Sequence, residues 1–267
     1  MLFFLKEFFM YLSKRYKPAI IFSLKHLCCS VSIALLSAYL VFYIWYPAPY
    51  DVLAGGRELF LLVISVDIVA GPLLSLVVYN PVKSKKELFC DIGIVVFLQV
   101  LALAYGLYSM SQARPVFLAY EGDRFQVVSV ADIDLDAIAM APAELKSLSF
   151  SGPKLIGVKL LGSTDKGYVE SIQLAMAGQP PSFRPERWAE YQSQSSNVVR
   201  HARALSELIS HYPESQAHID EMVKKSGVAL DQLGFYPVLS YKAVGWVIVV
   251  DLKWGRPVFF LDLDGWF

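Results

Sequence analysis

The sequence predicts a membrane protein in which three N-terminal transmembrane helices precede an α+β domain with a mainly antiparallel sheet. Two observations lead to this prediction. The 267 residues are 55% hydrophobic, which is too apolar for an ordinary soluble protein. Beyond Arg114 the sequence changes to short alternating runs separated by turn residues, which is typical of a domain exposed to water.

Three apolar runs, at 27–45, 59–79 and 92–110, have about the 20 residues that cross a bilayer core. The second run contains two features that a simple membrane anchor does not need. Asp67 lies in its middle, where a charged group is costly and normally faces protein or water. Gly71 and Pro72 follow one turn later and predict a kink, because proline removes a helical hydrogen bond.

The runs divide the chain into three predicted parts, namely a leader at 1–26, a transmembrane domain at 27–112 and a second domain at 113–267. The leader combines lysines and arginines with aromatic residues, which suits a segment lying on a membrane surface. A disordered leader, or a start codon chosen too far upstream, explains it equally well. The second domain has about 150 residues, enough to bury its own core.

The distribution of basic residues predicts the orientation. Five Lys or Arg residues precede the first run and three lie between the second and third, against only Arg57 between the first and second. Cytoplasmic loops collect Lys and Arg, so we expect a cytoplasmic N-terminus and, after three crossings, a periplasmic C-terminal domain on a bacterial inner membrane. The basic residues belong to the membrane part and give no reason to expect nucleic acid.

Asp67 is the candidate functional residue of the membrane part. Counting about 1.5 Å per residue from the cytoplasmic end of each run places Asp67 roughly 18 Å deep, level with Tyr39 and Tyr105. Two phenol hydroxyls at that level suit hydrogen bonding to the acid. Three interpretations stay open: a polar lock among the three helices, a contact to a foreign helix together with Gly71 and Pro72, and proton or ion transport.

The C-terminal domain reads as strands, then helices, then strands joined by tight turns, which is the pattern of an α+β domain. A hairpin is expected around Glu121-Gly122-Asp123 because glycine tolerates the positive φ of tight loops. An apolar stripe predicts one helix over 186–211, and Pro213 and Gly227 bound a second. The predicted strands lie at 116–120, 124–130, 155–161, 236–241, 245–251 and 257–263, and a short helix is predicted at 165–177.

No residue pattern indicates catalysis, a cofactor or a metal. Asp132, Asp134 and Asp136 copy the start of a calcium loop, but Ala137 and Ala143 stand where that loop needs Gly and Glu. The Ser-x-x-Lys match at 151–154 contains Gly-Pro, which favours a turn over the helix that this nucleophile needs. The histidines share no metal-ligand spacing. We therefore expect a protein that is not an enzyme.

Five short strings resemble the TfpX/TfpZ family of type IV pilin accessory proteins of the bacterial inner membrane. They are IWYP at 44–47, VDIVAGPLL at 66–74, YNP at 79–81, AYGLY at 104–108 and QARPV at 112–116. The resemblance implies three spanning helices, a periplasmic domain and a role in assembling or regulating pili made from a particular pilin. It brings no established catalytic residues.

The function expected from these observations is that of a chaperone-like accessory protein that assists or regulates type IV pilus assembly without catalysis. Its expected partners are the helix and periplasmic head of a type IV pilin, inner membrane lipid and other pilus assembly proteins. The alternative is a membrane-anchored periplasmic protein that binds a ligand or acts as a sensor, although the sequence offers no cytoplasmic output domain.

Overall fold

The computed structural model describes the backbone of residues 2–267 and the side chains of residues 16–267. The prediction for the aromatic side chains at the start of the leader lies outside this part. The first four helices are α1 (Leu2–Tyr39), α2 (Tyr50–Leu53), α3 (Gly56–Val78) and α4 (Lys85–Ala113), and a π-helical turn, Leu40–Trp45, continues α1.

Three helical stretches in the described chain are long and apolar enough to cross a membrane. They are Tyr16–Trp45, Gly56–Val78 and Lys85–Ala113. The prediction of three membrane-length helices is confirmed. The first and third stretches begin 11 and 7 residues before the apolar runs read from the sequence, because helices continue through flanking polar residues that a hydropathy reading leaves out.

The chain folds as two compact units. The membrane unit contains Met1–Tyr43 and Arg57–Ser111, and the C-terminal unit contains Ile44–Gly56 and Gln112–Phe267. The segment between the first two long helices, 44–56, is therefore part of the C-terminal unit. We call it the inserted segment.

The C-terminal unit contains one sheet and four further helices. Its strands are β1 (Pro115–Tyr120), β2 (Phe125–Ser129), β3 (Lys154–Val158), β4 (Trp188–Glu190), β5 (Arg203–Ala204), β6 (Leu233–Leu239), β7 (Trp246–Asp251) and β8 (Arg256–Leu261). Its helices are α5 (Tyr168–Met176), α6 (Ser195–His201), α7 (Leu205–His211) and α8 (Gln216–Ser226).

The sheet is mixed, so the prediction of a mainly antiparallel sheet is wrong. Its strand order is β4-β3-β1-β2-β6-β7-β8, with β5 beside β6. Strand β1 pairs in parallel with β3, and β2 pairs in parallel with β6. Tight turns in a sequence report only antiparallel hairpins, whereas parallel neighbours are joined by long crossovers that leave no local signal.

The strand directions place several connections on one side of the sheet. Strand β1 starts at Pro115, directly after α4, and its parallel neighbour β3 starts on the same side. Strands β2 and β6 run the opposite way and point toward that side. We call it the near side; the loop before β3 and the β6–β7 turn both lie toward it.

The inserted segment supplies part of the C-terminal core. Leu53 has no exposed surface and packs in a cluster that includes Leu118, Tyr120 and Val238. Tyr46 is also fully buried. At the start of the segment, the Gly152 N–H donates to the Ile44 carbonyl at 2.7 Å. Burial of large apolar side chains is the main favourable term in folding, so this segment is fixed by the core.

The predicted single helix over 186–211 is wrong. The chain there forms β4, α6, β5 and α7 in succession. Trp188, Val198 and Leu205 are fully buried, so the apolar stripe reports burial correctly, but Trp188 pairs with Val158 as a strand residue. Pairing with a distant strand overrides the local helical period. The hairpin at Gly122 and the end of a helix at Gly227 are confirmed, with φ of 86° and 69°.

The burial of Leu53 gives a direct test. Leu53→Ala removes a fully buried side chain, and we expect it to lower the free energy of unfolding by about 2–5 kcal/mol. The neighbouring Val52→Ala is the control, because Val52 is 36% exposed. Denaturant unfolding in detergent, followed by proteolysis of the C-terminal unit, measures both. Equal small losses from the two variants would show that the inserted segment is not part of the core.

Candidate functional site

A groove runs along the membrane unit between α1 and α4, and one residue of α3, Asp67, forms its floor. Its volume is about 370 Å³. Helix α1 lines one side from Phe22 to Ile33 and α4 lines the other from Ile92 to Leu103. Eleven residues of helix advance about 16 Å, so the groove is about three turns long. Most of its lining is apolar.

Asp67 is the α3 residue that lines this groove. Its side chain is 7% exposed, and its Oδ1 accepts no hydrogen bond from the residues whose side chains are described. A buried polar atom without a partner costs about 1–3 kcal/mol. The floor of the groove therefore carries a buried acceptor that lacks a donor.

Gln99 on α4 lies beside Asp67. Its Nε2 donates to the backbone carbonyl of Asp67 at 3.1 Å. Its Oε1 is buried and, within the described part of the chain, also has no hydrogen-bond partner. Two unpaired acceptors thus line the same groove. The sequence analysis missed Gln99, although an amide inside an apolar run is a signal of the same kind as Asp67.

Gly71 and Pro72 shape the α3 surface next to these acceptors. A Cβ at Gly71 would overlap the amide of Gln99, so glycine permits the close contact between α3 and α4. The carbonyl of Pro72 accepts a hydrogen bond from Ser23 Oγ of α1 at 2.8 Å. His26 and Ser75 form a further α1–α3 hydrogen bond one turn away. Polar contacts therefore fasten α1 to α3 close to the proline.

Tyr39 and Tyr105 are not brought to Asp67. Their side chains are 60% and 73% exposed, and Tyr39 stacks on Tyr43 instead. Gly106 packs against Val63, which places Tyr105 about one turn along α3 from Asp67. Depths counted from the ends of the apolar runs differ from the observed register because α1 and α4 extend beyond those ends.

The structure also places the other sequence motifs. Asp132 accepts the Ser129 N–H at 2.8 Å, and Asp134 accepts the Asp136 N–H at 3.1 Å. These aspartates therefore cap short helical turns. Among the described residues there is no group of three or more His, Cys, Asp or Glu side chains that could hold a metal ion.

A second buried acid lies in the C-terminal unit, at the β1–β2 turn. Glu121 is 3% exposed; its Oε1 accepts the Ser182 N–H at 3.3 Å and its Oε2 pairs with Arg124 Nε at 3.4 Å. Burial raises the pKa of the Glu121 carboxyl above its ordinary value, in spite of the opposing effect of Arg124. The folded protein therefore holds this proton more tightly than the unfolded chain.

The chain matches known proteins along most of its length. The family described as Fimbrial assembly protein FimB matches residues 14–55. The fimbrial assembly proteins of serogroups I and E1 of Dichelobacter nodosus are each 30% identical to it over 227 residues, which cover 85% of the chain and 88% of each relative. The chain belongs to the fimbrial assembly protein family.

A third relative matches a shorter part of the chain. The fimbrial assembly protein of Dichelobacter nodosus serogroups C1 and C2 is 39% identical over 116 residues, which are 43% of the chain and 88% of that relative. No solved structure matches the chain. The predicted place in a type IV pilus assembly family is supported, while the TfpX/TfpZ name stays a prediction. The part that matches the FimB family reaches from α1 into the inserted segment.

Gly71 provides the first test of the groove. Gly71→Ala forces the Gln99 amide to move, and we expect the α3–α4 contact to weaken by about 1–3 kcal/mol. Gly93→Ala on α4 is the matched control, because a Cβ there meets nothing within 4 Å. Thermal unfolding midpoints of both variants in the same detergent measure the effect. An unchanged midpoint for Gly71→Ala would contradict the described packing.

Glu121 predicts a dependence on pH. A raised folded pKa gives stability that is complete below the ordinary pKa and is lost as the pH rises through the raised value. Glu121→Gln cannot ionise, so the free energy of unfolding of this variant should rise relative to that of the parent protein as the pH increases above the ordinary pKa of a glutamate. Denaturant unfolding measures this difference, with exposed Glu190→Gln as control. A difference that stays constant with pH would contradict it.

Proposed function

We propose that this fimbrial assembly protein is a chaperone-like accessory protein that holds a cognate type IV pilin in the bacterial inner membrane and presents it for assembly. It acts in stoichiometric amounts and makes or breaks no covalent bond. The names of its relatives support a role in fimbrial assembly. The three membrane-length helices support an action in the membrane.

The groove is the observation that carries this proposal. Helices α1 and α4 line it along about 16 Å with Asp67 between them, and the proposed docking places one face of a fourth helix along this length. Asp67 Oδ1 and Gln99 Oε1 both need a donor. A partner helix that brings a hydroxyl or an amino group to this depth removes the cost of burying the two acceptors. The helix of the pilin is the proposed occupant.

The proposed orientation follows the basic residues. Lys83 lies in the loop between α3 and α4, and Lys85 and Lys86 begin α4. We place these lysines in the cytoplasm and the C-terminal unit in the periplasm. The C-terminal unit then lies where the head of a membrane-held pilin would be.

Site-specific photocrosslinking in cells that make the pilin tests the docking site. A crosslinker at Ile33 or Val96 faces the groove, whereas Leu36 and Phe97, 73% and 61% exposed, lie outside its lining. We expect pilin adducts from the first pair and few from the second. Equal adducts from both pairs, or none from any groove position, would remove the docking claim.

Asp67 variants test the polar contact itself. Intramembrane hydrogen bonds contribute about 0.6–1.7 kcal/mol, so Asp67→Leu should weaken pilin capture about 3- to 20-fold. Asp67→Asn keeps an acceptor oxygen and should lose less. Val66→Leu, on the same helix and outside the groove lining, is the control. Co-purification of pilin at matched protein levels gives the readout, and full capture by Asp67→Leu would make the acid dispensable.

A cavity in the C-terminal unit favours one second candidate, a protein that binds a small ligand. It measures about 380 Å³, and Lys159, Asn197 and His201 line it. Small-molecule stabilisation of the full chain that is lost in His201→Phe would support this function. Crosslinks from the groove to pilin would be independent of that variant.

A further inference from the structure

Two loops of the C-terminal unit contact the inserted segment at the residues where the first membrane-length stretch ends and the second begins. The first is 148–153, directly before β3. Besides the hydrogen bond from Gly152 to Ile44, the ring edge of Phe150 meets Trp45 at 6.3 Å between ring centroids. Trp45 is the last residue of the first membrane-length stretch. This loop is therefore fixed at the end of that stretch.

The second loop is the β6–β7 turn, 240–245. Ser240 Oγ donates to the carbonyl of Leu53. The side chain of Lys242 packs directly over Gly55. The next residue, Gly56, begins the second membrane-length stretch. This turn is therefore fixed beside the start of that stretch.

Each loop exposes large apolar side chains beside a lysine. Phe150 is 61% exposed, Tyr241 91% and Val244 81%. Lys154 and Lys242 are exposed next to them. Aromatic residues and lysines together are typical of the boundary between lipid headgroups and acyl chains, where rings lie at the headgroup level and amino groups reach phosphate.

Exposure alone does not mark a membrane contact, because single exposed apolar residues are normal on protein surfaces. Trp254, in the β7–β8 turn, shows this: it is 59% exposed and lies beside Lys253. Strand β7 separates it from the β6–β7 turn by six residues, or about 20 Å. The two turns have the same local chemistry, and only the β6–β7 turn is tied to a helix end.

We propose that the loops 148–153 and 240–245 form a lipid-contacting rim. Phe150, Tyr241 and Val244 lie in the interfacial layer of the bilayer, and Lys154 and Lys242 reach the phosphates of lipid headgroups. The C-terminal unit is thereby held against the membrane by two loops in addition to its chain connections. This contact does not depend on a pilin.

Spin-label depth measurements on the full chain, one copy per lipid nanodisc, test the rim. In a background in which Cys28, Cys29 and Cys90 are replaced by Ser, a nitroxide is attached through Phe150→Cys, Tyr241→Cys or Val244→Cys, with Trp254→Cys as the matched control. We expect the ratio of collisions with oxygen to collisions with a water-soluble nickel chelate to be several-fold higher at the three rim positions than at 254.

Two results of this experiment would overturn the proposal, and each differs from the expected result. Rim labels as accessible to the nickel chelate as the label at 254 would overturn the proposal. Labels that are shielded from both oxygen and nickel would indicate contact with protein, and this also overturns it. An unfolding midpoint equal to that of the parent protein establishes that each labelled variant is folded, which we expect because the three side chains are exposed.

Discussion

The burial of Leu53 in the C-terminal core is the contact on which the arrangement of the chain depends. The inserted segment has a membrane-length helix before it and another after it, so its packing fixes the residues that directly join both helices to the C-terminal unit. Helix α4 ends two residues before β1. The C-terminal unit is therefore joined to the membrane unit at three places in the chain. Leu53 ties the inserted segment, and with it two of these junctions, to the core of the C-terminal unit.

The polar contacts of the membrane unit differ from one pair of helices to another. Ser23 Oγ donates a hydrogen bond to the Pro72 carbonyl, and His26 and Ser75 form a second hydrogen bond between α1 and α3. Between α1 and α4 there is a groove, and two acceptors in its lining, Asp67 Oδ1 and Gln99 Oε1, have no hydrogen-bond partner among the residues whose side chains are described. In hydrocarbon no water is at hand to supply donors, so such atoms are costly unless a partner or lipid group reaches them. The described side chains therefore join α1 to α3 by hydrogen bonds and leave a groove between α1 and α4.

Sequence reasoning succeeded where the signal is local. The long apolar runs gave the three helices, and Gly122 and Gly227 marked a hairpin and a helix end because only their backbone conformation was needed. Prediction from the sequence failed where contacts between distant residues determine the structure. The residues near Trp188 carry no pattern that predicts its pairing with Val158. The sequence of 44–56 likewise does not predict that Leu53 packs in a core formed by residues more than 60 positions away.

The candidate site shows the same division. Asp67, Gly71 and Pro72 stood out because each is unusual in an apolar run. Their partners followed from helix register, which depends on where each helix begins in space. The count from the ends of the apolar runs placed Tyr39 and Tyr105 at the level of Asp67, whereas the packed helices bring Gln99 there.

The length of strand β7 sets the distance between two turns of the C-terminal unit. Six residues separate the β6–β7 turn, next to the helix ends, from the β7–β8 turn. At about 3.3 Å per residue this is about 20 Å. The β6–β7 turn contacts the inserted segment through Ser240 and Lys242, whereas the Gly255 carbonyl in the β7–β8 turn accepts a hydrogen bond from Tyr191. A substitution in one turn therefore leaves the contacts of the other turn in place.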